Sequence, residues 1–196
     1  ERSRIARDLH DELGSGLTHI SILGDSISGA PDVAQSIRQA TVENIRRLNE
    51  IVWALNPERD SLDHLADHLL RFAGEFLESS EIRLRSEIQE AMPAIPLTSK
   101  VRHALYLASR EAFHNAVRHG HPTQITLRIA IHAGILSIVI EDNGAGFDPS
   151  ATARGHGLSN MRTRLEEIGG KAQFTSTPGS GTTIAFTFPL PKKSAL

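Results

Sequence analysis

The chain has 196 residues, with 21 Lys plus Arg against 23 Asp plus Glu, a formal net charge of -2 and no cysteine. That length allows one ordinary domain or two small ones, and hydrophobic and charged fractions of 39% and 22% exclude a chain disordered throughout. The near-neutral balance leaves no broad positive field for a polyanion, which excludes nucleic acid as the main partner, and the lack of thiols excludes disulfide scaffolds, thiol nucleophiles and thiolate metal sites.

No apolar run approaches the ~18–20 residues that cross a bilayer, and no signal-peptide pattern opens the chain. The expected location is therefore cytoplasmic, with no membrane contact by this stretch. Because the sequence starts at Glu1 rather than Met, it is read as a fragment of a longer protein in which a membrane anchor has room elsewhere.

In chain order, the stretch from Arg4 to Ser28 carries Ile5, Leu9, Leu13, Leu17, Ile20, Leu23 and Ile27 at three- or four-residue steps, the stripe of an amphipathic helix. Gly29-Ala30-Pro31-Asp32 interrupts it, and Ile37, Thr41, Ile45, Leu48, Val52 and Leu55 form a second stripe that stops at Asn56-Pro57. A helical hairpin with one apolar seam per helix cannot enclose a core alone, so two copies are expected to pair as a dimeric four-helix bundle. Residues 1–58 are assigned to this hairpin, 59–191 to a second domain and 192–196 to a solvated tail.

The second domain mixes helix and strand periods. A helix is predicted over Leu62 to Glu78, a strand over Ile82 to Ile88, and a long helix from Thr98 to His119 behind Pro93 and Pro96. Strands at Ile125–Ile131 and Leu136–Ile140 flank a turn at His132-Ala133-Gly134. A helix over Leu158–Ile168 ends at Gly169-Gly170, and strands Ala172–Thr177 and Thr183–Phe188 flank Pro178-Gly179-Ser180-Gly181. The sum is an α+β chain whose second part is one sheet with helices on one face, an α/β sandwich.

Four segments carry candidate chemistry. Glu111, Asn115 and His119 recur every four residues, at roughly 6 Å of rise per step, as a polar ladder beside the apolar stripe of Val101, Leu105, Ala108 and Ala112. Polar groups on such a face need partners, and a metal ion with phosphates would supply them, although a helix end turning to solvent explains them equally well. Asp142, Gly144 and Gly146 end a strand where glycine permits close approach of a flat ligand and Asp142 can accept from an amine; alone, they read better as an Asp-Asn-Gly turn. Gly155-His156-Gly157-Leu158 opens a helix whose free N–H groups favour phosphate, though alone it is merely a helix start, and Gly179, Gly181 and Thr182 before the last strand are equally weak alone. No P-loop Lys motif and no Gly-x-Gly-x-x-Gly fingerprint is present.

In order and spacing these four segments resemble the GHKL (Bergerat-type) nucleotide-binding fold of histidine kinases, type II topoisomerases, mismatch-repair ATPases and Hsp90-type chaperones. The resemblance covers about residues 60–190. It implies ATP and Mg²⁺ as ligands, with Asn115 holding Mg²⁺ through the ATP phosphates, Asp142 taking the adenine amine, and Gly155–Gly157 with Leu158 acting as a short lid on the phosphates. His119, Gly144, Gly146 and Thr182 complete the expected nucleotide set.

In the hairpin, Arg7-Asp8-Leu9-His10-Asp11-Glu12-Leu13-Gly14 places His10 about 80° from the apolar seam, on an accessible flank, where an imidazole can attack a phosphoryl group and a neighbouring carboxylate can take its proton. On its own His10 reads as a surface residue beside acids. The stretch resembles the phosphoacceptor box of two-component sensor histidine kinases of the NarX-like and DesK-like class, as does Ile51-Val52-Trp53-Ala54-Leu55-Asn56-Pro57. The resemblance implies a homodimer, ATP-dependent phosphorylation of His10 with Asp11 as general base and Glu111 as a further polar catalytic residue, and transfer to an Asp of a response-regulator receiver domain. Ser15 stands where the class often carries Gln or His, which puts regulator phosphatase activity in doubt. The alternatives are a GHKL ATPase or serine kinase in which His10 is incidental, and a silent dimeric scaffold. The pairs His64/His68 and His119/His121 lack a third ligand at a metal-site spacing, and no structural metal is expected.

Overall fold

The computed structural model describes residues 60–148 and 156–191, with isolated positions at 20, 35–37, 40, 41 and 44. The chain divides into two compact units, Glu1–Glu58 and Arg59–Leu196. In the first unit the described positions are helical, and the Thr41 hydroxyl donates to the Ile37 carbonyl at 2.8 Å, the back-bond one helical turn away. The predicted hairpin pairing and four-helix bundle, with His10, Asp11 and Ser15, lie outside the described residues, as do Gly155 and the tail.

The second unit runs α1 (Leu62–Leu77), β1 (Arg83–Ile88), α2 (Ser99–Asn115) continued by a π-helical turn (Ala116–Gly120), β2 (Gln124–His132), β3 (Ile135–Asp142), α3 (His156–Glu166), β4 (Lys171–Ser176) and β5 (Thr182–Pro189). The strands form one five-stranded sheet in the order β1-β2-β3-β5-β4. Only β1 and β2 are parallel, because α2 carries the chain across between them; the other neighbours are antiparallel. The predicted strand pairs hold as hairpins, whereas the parallel β1 edge follows from the crossover and makes the sheet mixed. No described helix is long and apolar enough to cross a membrane.

One face of the sheet is apolar and covered. Ile125, Leu127 and Ile129 of β2, Leu136, Ile138 and Ile140 of β3, and Ile184, Phe186 and Phe188 of β5 alternate inward and are buried. Leu62, Leu65, Leu69 and Phe72 of α1, Leu105, Ala108 and Ala112 of α2, and Met161 and Leu165 of α3 are buried in the same domain, which is the two-layer sandwich. The opposite face is polar: Arg128 donates to Glu87 at 2.7 Å and to Glu141 at 2.5 Å.

Local chemistry sets the ends. Thr98 caps α2 by accepting from Val101 N–H, so the helix starts one residue later than predicted. Ala133 and Gly134, at φ 50° and 76°, form the two-residue β2–β3 turn, whose double positive φ matches the strand twist. Gly169 at φ 79° closes α3, and the following Gly170 N–H returns to the Leu165 carbonyl at 2.8 Å.

The chain enters this unit through an anchored segment. Leu97 N–H donates to the Asp60 carbonyl and Leu62 N–H to the Ile95 carbonyl, both at 2.9 Å, while the Asp60 carboxylate pairs at 2.5 Å with Arg102, whose side chain is wholly buried.

Candidate nucleotide-binding site

The site is a cavity of about 540 Å³, within the range of small-molecule pockets. It lies between the end of α2, the ends of β3 and β5, and the start of α3. Glu111, Asn115, Arg118 and His119 line it from α2 and the π turn; Ile140, Asp142 and Gly146 from β3 and the loop after it; Gly157 and Leu158 from α3; Thr182 and Ile184 from β5.

The predicted helix to His119 is α-helical only to Asn115, beyond which five residues widen into the π turn. Pro122 cannot continue a helix, and His121 turns the chain at φ 46°. Such wide turns recur at functional sites because they re-aim side chains relative to the preceding α-helix. Here the turn carries Arg118 and His119 along the cavity together with Asn115, although the strict four-residue ladder stops at Asn115.

Asp142 ends β3 directly opposite Thr182 of β5. It is buried, and burial pushes its carboxyl above the ordinary carboxylate value, an effect opposed by the N–H groups of Gly144 and Thr182; the Gly144 bond is 2.8 Å. A buried acid that still faces a cavity has acceptor capacity left for a ligand donor.

Glycines bring the backbones together around it. A Cβ on Gly181, which has φ 78°, would lie 2.0 Å from the Asp142 carbonyl oxygen, and one on Gly146 at φ 60° would lie 2.1 Å from that of Thr177. Gly144 does not line the cavity; it lies so close to Gly120 that a Cβ would meet the Gly120 carbonyl oxygen at 2.3 Å. Gly157 backs onto the ladder, where a Cβ would stand 2.8 Å from Glu111 Oε1 and 3.4 Å from Asn115 Nδ2. The start of α3 thus lies directly against the two polar groups of α2 best able to meet a metal ion.

Sequence reasoning missed Arg118, Phe147 and Ser176. Arg118 brings a cation to the cavity, and its signal was available as a basic residue three positions after Asn115. Ser176 accepts from Phe147 N–H at 2.8 Å and donates to the Gly181 carbonyl at 2.9 Å, tying the β3 loop to the β4–β5 turn. Only the β4–β5 register, which sets Ser176 opposite Thr182, reveals that.

The donor set fits a substrate-borne Mg²⁺. Glu111 and Asn115 stand together at the cavity as oxygen donors, so an ion here would draw its remaining ligands from phosphates and water. That is how Mg²⁺ is ordinarily held, with one or two protein oxygens.

A family model described as histidine kinase-, DNA gyrase B-, and HSP90-like ATPase matches residues 100–192, and one described as histidine kinase matches residues 1–60. The sensor histidine kinase LiaS of Bacillus subtilis is 30% identical over 97% of this chain and 54% of its own length. The nitrate/nitrite sensor protein NarQ of Escherichia coli is 29% identical over 96% of this chain and 34% of its own. The chain thus spans about half or less of these relatives. The histidine kinase domain of the blue-light activated kinase of Erythrobacter litoralis superposes with a TM-score of 0.60 at 17% identity, covering 96% of this chain and 93% of that one. The Acinetobacter baumannii histidine kinase AdeS gives 0.61 at 14% identity over 95% and 98%. With one model on the first 60 residues and the other on residues 100–192, the chain belongs to the sensor histidine kinase family of two-component systems.

Proposed function

We propose that this chain is the catalytic core of a sensor histidine kinase of the NarX-like class, which binds ATP in the sandwich domain (59–191), phosphorylates His10 of the hairpin (1–58), and passes the phosphoryl group to an Asp of a receiver domain. The observation that carries the reading is the cavity that joins Asn115 and Glu111 on α2 to Asp142 on β3 and Gly157 on α3. NarQ, similar over nearly the whole chain, supports the class.

In this reading Asp142 accepts a hydrogen bond from the adenine amine, with Thr182 beside it and Ile140 and Ile184 as apolar walls. The α3 N-terminus, Arg118 and His119 meet the phosphates through N–H donors and positive charge. Asn115, with Glu111 adjacent, holds the Mg²⁺ that rides on the phosphates and offsets charge on the transferring group. Gly155, two residues before Gly157 in the sequence, is assigned to the same phosphate segment. A ring nitrogen of His10 attacks the γ-phosphorus, the bond to the β–γ bridging oxygen breaks and ADP leaves, while Asp11 takes the ring proton. The hairpin of a second copy completes a four-helix bundle, so the active form is a homodimer.

Incubation with γ-labelled ATP and Mg²⁺ tests this. Label that survives alkali, is lost in acid and is absent in His10→Gln, which still binds ATP normally, is the expected result. Tight ATP binding with steady phosphate release and no label would turn the reading to an ATPase.

A further inference from the structure

The geometry points to Asn143 as a positioning residue that holds the two ends of the nucleotide cavity at one separation; the inference rests on the nucleotide-binding reading above. Asn143 is exposed and does not line the cavity. By position it is an ordinary surface asparagine in a turn. Its hydrogen bonds say otherwise.

Its side-chain Oδ1 accepts from two successive backbone groups, Thr123 N–H at 3.0 Å and Gln124 N–H at 2.9 Å, and its Nδ2 donates to the Thr123 hydroxyl at 2.8 Å. Its own N–H donates to the Gln124 carbonyl at 3.3 Å. The β2–β3 ladder ends at the Ile125–Asp142 pair, so the carboxamide continues the pairing beyond it, onto Gln124 and Thr123. The next two residues follow the same path: Gly144 lies against Gly120, and Ala145 N–H donates to the Gly120 carbonyl at 2.8 Å.

Three consecutive residues after Asp142 are thus clipped to the five that follow His119. Asp142 stands on one side of that clip, at the sheet end of the cavity; Asn115, Arg118 and His119 stand on the other, at the helix end. The π turn carries Arg118 and His119, and between it and β2 residues 121–123 belong to no regular element. The Asn143 side chain spans from the β3 end to this connection. A ligand that must touch both ends gains affinity only when they are already at the right distance.

Exposure makes the idea separable from a plain folding role. Water can replace the Asn143 bonds when the side chain is removed, so the ligand-free domain should keep its stability while its two half-sites lose their fixed spacing. Asn143→Asp keeps the acceptor for both N–H groups, and the Thr123 hydroxyl can turn to donate to its second carboxylate oxygen.

The test measures Mg-ATP affinity and the ligand-free melting temperature of the full chain as wild type, Asn143→Ala and Asn143→Asp. The expected result is an affinity about tenfold weaker in Asn143→Ala, within about threefold of wild type in Asn143→Asp, and ligand-free melting within about 2 °C in both. Unchanged affinity in Asn143→Ala, equal losses in both variants, or ligand-free melting lowered by more than about 5 °C each overturns it, the last by making Asn143 a fold residue. Wild type that binds no Mg-ATP would instead remove the nucleotide reading itself.

Discussion

The two ends of the cavity are built differently. At the sheet end, Asp142 and Thr182 sit opposite one another on paired strands, Asp142 is buried, and glycines allow backbone to touch backbone. At the helix end, Arg118 and His119 are exposed, Asn115 is half-buried, and the backbone leaves α geometry. A ladder of hydrogen bonds holds a recognition group still, which suits a flat base read by one acceptor. Exposed side chains on a helix end can follow a charged, hydrated group, which suits phosphates and their ion.

The largest expected effect is at the helix end. Asn115→Ala should abolish labelling from γ-labelled ATP and weaken Mg-dependent ATP binding by about a hundredfold or more; equal affinity in calorimetry would remove Asn115 from the metal. At the sheet end the sensitive element is backbone. Gly181→Ala adds a Cβ in a left-handed conformation, 2.0 Å from a carbonyl oxygen, and should destabilise the domain by about 3 kcal/mol. Urea unfolding with a midpoint unchanged from wild type would show that the β4–β5 turn is not tight there.

Arg118→Ala should weaken ATP about tenfold, as loss of one charge-assisted contact does, with Arg118→Lys in between. If the helix end works through charge, raising the salt concentration should shrink the difference.

A smaller effect sharpens the sheet end. Burial raises the Asp142 carboxyl above its ordinary value of 3.8, so the native state holds this proton more readily than the unfolded chain. Its contribution to stability is fully present below that ordinary value and is lost as pH rises through the raised native one. Asp142→Asn should flatten this decline, which urea midpoints between about pH 4 and 7 would reveal; parallel curves for the two proteins would contradict it. The smallest effect is expected far from both ends. On the polar face of the sheet, Arg128 holds Glu87 below the ordinary carboxylate range, but both groups are solvated, so Arg128→Ala should shift melting by no more than about 2 °C and leave ATP affinity alone.

Much of the sandwich was legible because its elements are written in local periods. The alternation through Ile125–Ile131 and the stripe on Leu62–Leu77 follow from which residues water excludes, and Gly169-Gly170 marks a helix end by φ alone. The π turn was not legible: no residue type in Ala116–Gly120 forbids α geometry, and the departure depends on the chain reaching a buried Pro122 and β2. The parallel edge of β1 was equally silent, since register and strand order come from packing after the helices are placed.

The candidate site divides in the same way. Glu111, Asn115, Asp142 and Gly157 drew notice through spacing and chain order, which survive in one dimension. Arg118, Ser176 and Asn143 did not, because their importance lies in what they face across the fold: a cavity wall, a neighbouring turn, two N–H groups about twenty residues away in sequence. The amino-acid order by itself therefore determined the alternation of helix and strand, the glycine positions and the family motifs, all of which depend on short-range sterics and hydrophobic periodicity. Only the tertiary structure decided which carbonyl each glycine meets and which side chains close on one cavity, because those distances are set when distant segments pack together.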